Sequence, residues 1–509
     1  MPWTRRGATL RRMSTAIVWF RRDLRLQDNP ALDAALRAHA RVLCVYIHAP
    51  QEEAPWIPGA ASRWWLHHSL RALDRQLQAR GARLHIARGA TLGMLERLAA
   101  ASDAQGVYFN RLHEPALRAR DGHVLQALRA RGVHAQDFNA SLLVDPTQIA
   151  TAQGGPYKVF TPYWRNLRAQ LQPAPPLPAP ARIAAATVDG ACGVEDLGLL
   201  PTIRWDAGFE SQWQPGEAGA QALLEAFARD TLDDYPRGRD RPDQESTSRL
   251  SPHLHFGEIG PRQIAWHLLG EPRPRSELGR PAAEAYLREI GWRDFSHHLL
   301  QHFPDSAQRN LNPQFDAFPW AEPDPAALRR WQRGRTGIPL VDAGMRQLWA
   351  TGWMHNRVRM VVASFLTKNL RQHWLHGARW FWDTLIDADL ANNTQGWQWT
   401  AGSGADAAPY FRIFNPVSQG ERFDPDGAYV RRWIPELAGV PAPLVHQPWR
   451  DAQFLQRSGY PAPMVDLRAS RRQSASTPGR AVTRGAGGPT SRARRAPRRA
   501  VPDARGRDT

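Results

Sequence analysis

Residues 15–32 read TAIVWFRRDLRLQDNPAL. A run of β-branched and aromatic side chains ends at two arginines, and a helical pattern then occupies 30–39. The alternation repeats along the chain. VLCVYIHA (42–49) precedes a helical pattern over 62–80 that stops at Gly81, RLHIARG (83–89) precedes one over 91–101, GVYFN (106–110) precedes one over 114–131, and VHAQDFNASLLV (133–144) completes the series. Such alternation predicts a parallel sheet covered by helices, because parallel neighbours need long crossovers. The expected fold of residues 14–145 is an α/β, Rossmann-like domain. The first strand leads into RRDLRLQDNPAL, without a glycine, so the dinucleotide fingerprint is absent and the sheet shares only its shape with nucleotide-binding folds.

Residues 146–215 form a connector whose stretch 171–200 is rich in Pro and Ala and lacks helical periodicity. From 216 to 470 strand-like alternation disappears and helical patterns punctuated by Pro and Gly take over, which predicts a second, all-α domain. Residues 471–509 are nearly free of large apolar side chains and are expected to lack a fold, as is the extension 1–13. The 509-residue chain, 42% apolar, has ample material for two cores. Its apolar stretches, such as MVVASFL (360–366), fall far short of the roughly 20 residues that span a bilayer. The basic start runs into Arg21 and Arg22 without a signal-peptide core, and only two cysteines occur, so a cytoplasmic monomer without disulfides or a Cys-based metal site is expected. The net charge of +18 suggests nucleic acid, yet four Arg in residues 1–13 and eleven Arg against two Asp in 471–509 leave the body only +5. Any basic groove must come from local residues.

Chemistry concentrates in the second half. Residues 387–416, DADLANNTQGWQWTAGSGADAAPYFRIFNP, hold carboxylates, amides and two tryptophans but no Cys, Lys or His nucleophile. Over 286–300, Glu289, Trp292 and Arg293 are spaced to share a helical face, which by itself is an ordinary Glu–Arg pair beside a buried ring. Over 352–366, Asn356, Arg359 and Met360 lie opposite a core side of Val358, Val361, Val362 and Phe365. Ser246, Thr247, Ser248 and Ser251 surround an expected helix start with Pro252 at its first position, which can be a simple cap or a phosphate cradle. His253, His255, His297, His298 and His302 match no metal pattern and are expected on helix surfaces or facing nucleic acid. Tryptophan is frequent, 21 against nine Tyr; its ordinary role is packing, but its ease of oxidation also suits a file that carries electrons to a redox cofactor.

Four motifs in the same order, IVWFRRDLRLQDNPAL, TSRLSPHLHFGEIG, WMHNRVRM and LIDADLANNTQGWQW with DAAPYFRIFNP, resemble the cryptochrome/photolyase family over roughly residues 15–468, closest to the bacterial class I photolyases for cyclobutane pyrimidine dimers. The resemblance implies an antenna domain followed by a helical domain holding FAD, ultraviolet-damaged DNA as partner, and repair by an electron from photoexcited reduced flavin, so that no protein nucleophile is needed. It assigns Tyr235, Thr247, Ser248, Arg249, Leu250, Ser251 and Tyr286 to the cofactor, together with Asp387, Ala388, Asp389 and Arg359, the last as ion partner of Asp387. Asn393 falls beside flavin N5. Glu289 and Trp292 match one wall of the lesion socket and Asn356 and Met360 the other, while Arg239, Arg293 and Arg357 match phosphate or lesion-flank contacts. Trp397, Trp374 and Trp320 match the electron relay, Trp320 with a spacing to Trp331 one residue longer than the family pattern.

The antenna pocket departs from that pattern. Asn110, Glu114, Arg120 and Asp121 are kept, but Ala116 and Leu117 replace an Asn-Glu pair of folate-binding relatives, so folate is disfavoured and a deazaflavin, a flavin or no second chromophore stays open. The alternatives are a cryptochrome-type photoreceptor, which Asn393, Trp292, Asn356 and Met360 argue against, and a six-four photoproduct enzyme, for which a histidine pair is expected where this chain has His355 and Asn356. A non-enzymatic DNA binder relying on its basic tails is a third reading.

Overall fold

The computed structural model describes residues 14–270, 279–407 and 412–476. Its first part is a five-stranded parallel sheet in the order β3-β2-β1-β4-β5, formed by β1 (Thr15–Phe20), β2 (Arg41–His48), β3 (Leu84–Arg88), β4 (Ala104–Asn110) and β5 (His134–Phe138). Helices α1 (Pro30–Ala38), α2 (Ala60–Gln78), α3 (Thr91–Ser102) and α4 (Pro115–Ala130) make the crossovers. Every residue of β1 is buried, which explains its unbroken apolar run. Its side chains alternate between two cores: Ala16, Val18 and Phe20 pack with α1 and α2 residues such as Leu32 and Trp65, whereas Ile17 and Trp19 pack with Leu95 and Val124 of α3 and α4.

The strand order switches at β1, and the crevice beyond such a switch is where open α/β sheets bind ligands. Here ion pairs fill it. Arg21 holds both oxygens of Asp121 at 2.9 and 3.0 Å, Arg22 reaches Glu53 at 2.5 Å and also Glu114, and Asn110 donates to Asp23 at 2.6 Å. The last strand ends at Phe138, short of the apolar pattern that runs to Val144. Residues beyond it turn onto the helical domain, where the Leu143 N–H donates to Asp294 at 2.7 Å.

The connector contains α5 (Phe160–Gln170) and then returns to the sheet, with bridges Val42 to Ala185 and Ile86 to Cys192. The site is carried by α6 (Gly279–His302), α7 (Pro339–Thr351), α8 (Asn356–Ser364), α9 (Trp374–Thr384) and α10 (Leu390–Ala401). A final helix, α11 (Leu467–Ser476), enters the segment expected to lack a fold. Its buried Ser470 accepts from Asn369 at 2.9 Å and Ser474 donates to the Lys368 carbonyl, while Leu467 packs against the helical core, so polar contacts and one leucine dock it. Residues 1–13 and 477–509 lie outside the described residues. The two domains are joined by specific bonds: the Leu24 N–H donates to Phe256 (3.1 Å), the Leu26 and Gln27 N–H groups to Glu217 (2.9 and 3.0 Å), and the Trp65 indole to Glu258 (3.1 Å). No helix among the described residues is long and apolar enough to cross a membrane.

Candidate functional site

The segment from Tyr235 to Ser251 forms one end of the site. Tyr235 and Tyr286 meet edge to face at 5.2 Å, and the Tyr286 hydroxyl lies 2.8 Å from Ser248 Oγ. Burial pushes the Tyr286 phenol up to about 12, against a smaller opposing effect of Ser248. The expected helix is a short one, Ser251–His255, with Leu250 as its uncapped entry residue and Pro252 one place further in than expected. With no side chain capping it, Thr247 stays half-buried and Ser251 exposed, Ser251 Oγ accepting from the Trp353 indole at 3.3 Å. Arg249 adopts a left-handed φ of +54°, unfavourable for a residue with a Cβ. That conformation lays its guanidinium 4.2 Å from the Trp213 ring and 5.6 Å from that of Trp353. Its Nε is buried and has no hydrogen-bond partner among the described residues. A strained, partly desolvated cation with an open donor, flanked by hydroxyls, fits the pyrophosphate of FAD.

The turn 387–389 forms the other end. Arg359 reaches from α8 to both oxygens of Asp387, at 2.8 and 3.1 Å, and its Nε donates to the Met354 carbonyl at 2.7 Å. Ala388 is buried beside them. Asp389 caps α10, accepting from the Asn392 N–H at 2.9 Å, and its second oxygen lies 3.1 Å from His297 Nε2. Burial opposes its charge, yet His297 above all holds the carboxyl well below the usual carboxylate range. The Asp389 side chain is thus engaged by the protein, and its role is to fix the helix that presents Asn393. Asn393 donates its Nδ2 to the Ala378 carbonyl at 2.9 Å, which orients the amide oxygen as an acceptor.

Two partly open walls stand near these ends. On α6, Glu289 and Trp292 stay partly accessible between buried Leu287, Ile290 and Phe295; on α8, Asn356 is exposed and Met360 half-buried, while Val358, Val361, Val362 and Phe365 are fully buried as expected. The neighbours Arg239 and Asp240 tie the walls together: Arg239 holds Glu289 at 2.5 Å, and Asp240 holds Arg357 at 2.7 Å. Trp292 has one face laid on Phe160 of α5, with centroids 3.7 Å apart and planes 12° from parallel. Trp164 lies nearly parallel to Phe160 as well, at 6.3 Å and 16°. Gly291 is what admits Trp164, since a Cβ there would come within 2.4 Å of its ring.

The three tryptophans expected to form a relay belong to one packed region. Trp397 is buried edge-on to Phe381 at 5.0 Å and Trp331 at 6.2 Å. Trp374 is fully buried, donates its indole N–H to Asn310 at 2.9 Å and stacks on His373 at 5.6 Å. Trp320 meets the same His373 edge-on at 5.2 Å. Despite the longer spacing to Trp331, Trp320 shares His373 as a neighbour with Trp374.

Two further expectations need correction. Arg293 does not share the Glu289 face at the opening: it donates to the Ser141 carbonyl at 2.6 Å and lies 3.8 Å from Asp294, 12% exposed, so it joins the domains instead of meeting phosphate. His253, His255, His297 and His298 are buried, not on helix surfaces, because each packs against a group that its ring can bond or stack on; His253 sits 2.5 Å from Glu258, and the Tyr157 N–H donates to His298 at 3.0 Å. Only His302 of that set is exposed. The antenna-pocket residues Asn110, Glu114, Arg120 and Asp121 are consumed by the ion pairs beyond β1, Arg120 lying 2.8 Å from Asp121. Phe160, Asp240, His297 and His373 are functional neighbours that local spacing does not reveal; an aromatic-dense stretch, YKVFTPYW, is the one signal for the first.

Residues 16–181 match the family model described as DNA photolyase, and residues 286–478 that described as FAD binding domain of DNA photolyase. The deoxyribodipyrimidine photo-lyase of Agrobacterium fabrum is 44% identical over 472 residues, covering 90% of this chain and 96% of that protein. Cryptochrome-2 of Arabidopsis thaliana is 40% identical over 480 residues, covering 89% and 77%. A solved structure described as a bacterial class III photolyase from Agrobacterium tumefaciens superimposes with a TM-score of 0.87 at 42% identity, covering 93% and 98%. The chain therefore belongs to the photolyase/cryptochrome family, and its helical domain is that family's FAD-binding domain.

Proposed function

We infer that the protein is a light-driven DNA repair enzyme that splits cyclobutane pyrimidine dimers. The observation that carries this reading is the pair of accessible walls, Glu289 and Trp292 against Asn356 and Met360, held together at the rim by Arg239 and Asp240 next to the cofactor residues. FAD, when bound in its reduced form, would supply the photochemistry, a one-electron donation to the lesion with the electron returned once the ring has opened. The chain supplies position and polarity. Thr247, Arg249 and Ser251 would hold the phosphates, the Arg359–Asp387 pair would fix the turn against the flavin, and the Asn393 oxygen would offer an acceptor to its ring. Trp292, immobilised on Phe160, offers a flat surface to an extruded base, which recovers about 1–3 kcal/mol of stacking. Glu289, held by Arg239, accepts from a pyrimidine N–H. Arg357 and Arg239 have acidic partners, so DNA phosphates must compete with Asp240 and Glu289 for them. Trp397, Trp374 and Trp320 serve activation of the cofactor, not repair itself.

The relatives named as photo-lyases support repair, whereas a class III enzyme among the similar structures makes the chemistry, not the class I label, the content of the inference. The 40% identity to a cryptochrome favours blue-light reception as the second reading. Reduced, FAD-loaded protein illuminated with an oligonucleotide containing one thymine cyclobutane dimer should restore thymine absorbance, and Glu289→Ala should slow the recovery with FAD content unchanged. Recovery only with a six-four photoproduct would change the substrate; no recovery with either would leave the receptor reading.

A further inference from the structure

We propose that His373 is a positioning residue of the tryptophan relay, an uncharged ring in contact with both Trp374 and Trp320 that lets the charge left by a departing electron settle on either. This role rests on the relay proposed for Trp397, Trp374 and Trp320. His373 is the residue that enters α9, and its Nδ1 accepts from the Leu375 N–H at 3.2 Å. That bond fixes the ring. Trp374 lies against it with centroids 5.6 Å apart and planes 30° from parallel, and Trp320 meets it edge-on at 5.2 Å and 68°. Capping alone does not ask for this, since serine, threonine, asparagine and aspartate are the favoured caps and bring no ring.

Geometry holds the ring uncharged. A nitrogen that accepts from a backbone N–H carries no proton, so the proton sits on Nε2, and a second one on Nδ1 would face that N–H at the positive end of a helix. Burial above all, then His376 and Arg379 of α9, lower the His373 pKa to about 4 against the opposing Asp316 from the turn 313–317. The indoles, by contrast, are provided for. Trp374 donates to Asn310 at 2.9 Å and Asn310 to Asp316 at 2.7 Å, so a carboxylate ends the bonded chain. Trp320 is partly accessible, within reach of a thiol in solution. Once Trp397 has given up an electron, the vacancy is filled from Trp374, that on Trp374 from Trp320, and that on Trp320 by the thiol, which is oxidised in its place. Two of these steps leave a positive charge in ring contact with His373. An imidazolium there would repel both, by a factor of about ten or more in the population of either cation.

FAD-loaded His373→Arg and His373→Asn test this role. Asparagine keeps an uncharged cap, and arginine keeps a flat group with a permanent charge. With a thiol present at pH 7, the yield of light-driven cofactor reduction in His373→Arg should fall about tenfold or more below that in His373→Asn, and the transient absorption of the tryptophan radical should decay faster. In the parent protein the yield should drop as pH falls towards about 4, in step with protonation of His373 followed by nuclear magnetic resonance, and this drop should be smaller in His373→Asn. Equal yields in the two variants, or the same acid profile in the parent and His373→Asn, overturn the proposal; the acid profile decides if His373→Arg loses FAD. Trp374→Phe separates the proposal from the relay beneath it. Reduction that survives in Trp374→Phe removes the relay and the role of His373 with it, whereas reduction lost there and equal in the two His373 variants removes only the latter.

Discussion

Replacing Asp387 by asparagine should weaken both the fold and the hold on FAD, by an amount the geometry sets. The carboxylate is 4% exposed and its partner Arg359 24%, with two hydrogen bonds of 2.8 and 3.1 Å between them. Removing one member of a buried pair typically costs about 3–5 kcal/mol, mostly from the charge left behind. Arg359 retains the Met354 carbonyl at 2.7 Å and keeps a quarter of its surface in water. Roughly half that penalty, about 2 kcal/mol, is therefore expected. Arg359→Leu alone should cost a similar amount, and the double variant less than the sum by about 2 kcal/mol, because neither group is then stranded. Urea unfolding of apo and FAD-loaded forms gives the four stabilities, and recovery of flavin fluorescence gives the affinity. Additive losses within about 0.5 kcal/mol, or unchanged FAD affinity in Asp387→Asn, would refute the reasoning.

Trp397→Phe should leave repair by chemically reduced enzyme intact while abolishing light-driven reduction of the oxidised cofactor; equal loss in both assays contradicts the relay. Gly291→Ala gains about 1 kcal/mol of helix propensity but displaces Trp164, so affinity for dimer-containing DNA should fall without a matching gain in thermal stability, and unchanged affinity would show that the Trp164–Phe160–Trp292 stack has no part in binding. Lys368 is fully buried, and burial lowers its pKa from 10.5 to about 7. Between those values the unfolded chain binds the proton that the folded chain gives up, so this group makes stability rise with pH across the window. Lys368→Met should consequently remove that rise, so that the variant gains more relative to the parent at pH 7 than at pH 9; a difference that is the same in urea at both pH values would be inconsistent with the buried amine.

The strands and helices of the first domain were legible because period-2 and period-3.6 patterns are local, and β1 through β4 lie where the apolar runs place them. The fifth run misled, since Leu143 is apolar for packing with the helical domain rather than for the sheet. Family motifs located Arg359 with Asp387, the hydroxyl-rich segment, Asn393 and the tryptophans, all of which rest on residue identity at fixed spacing.

Spacing could not decide which partner each charged or aromatic side chain takes. Glu289 and Arg293, four residues apart, could pair on one helix face; instead Glu289 takes Arg239, fifty positions away in the chain, and Arg293 turns to Ser141. The histidines have the composition of a surface set and are buried only because Glu258, Asp389 and the Tyr157 amide arrive from other elements. By itself the sequence determined the order of elements, the two cores and the residue types of the site. The choice among competing partners, the flat backing of Trp292 and the contact of His373 with Trp320 were settled by tertiary structure, because long-range packing selects one pairing from several that local chemistry permits equally.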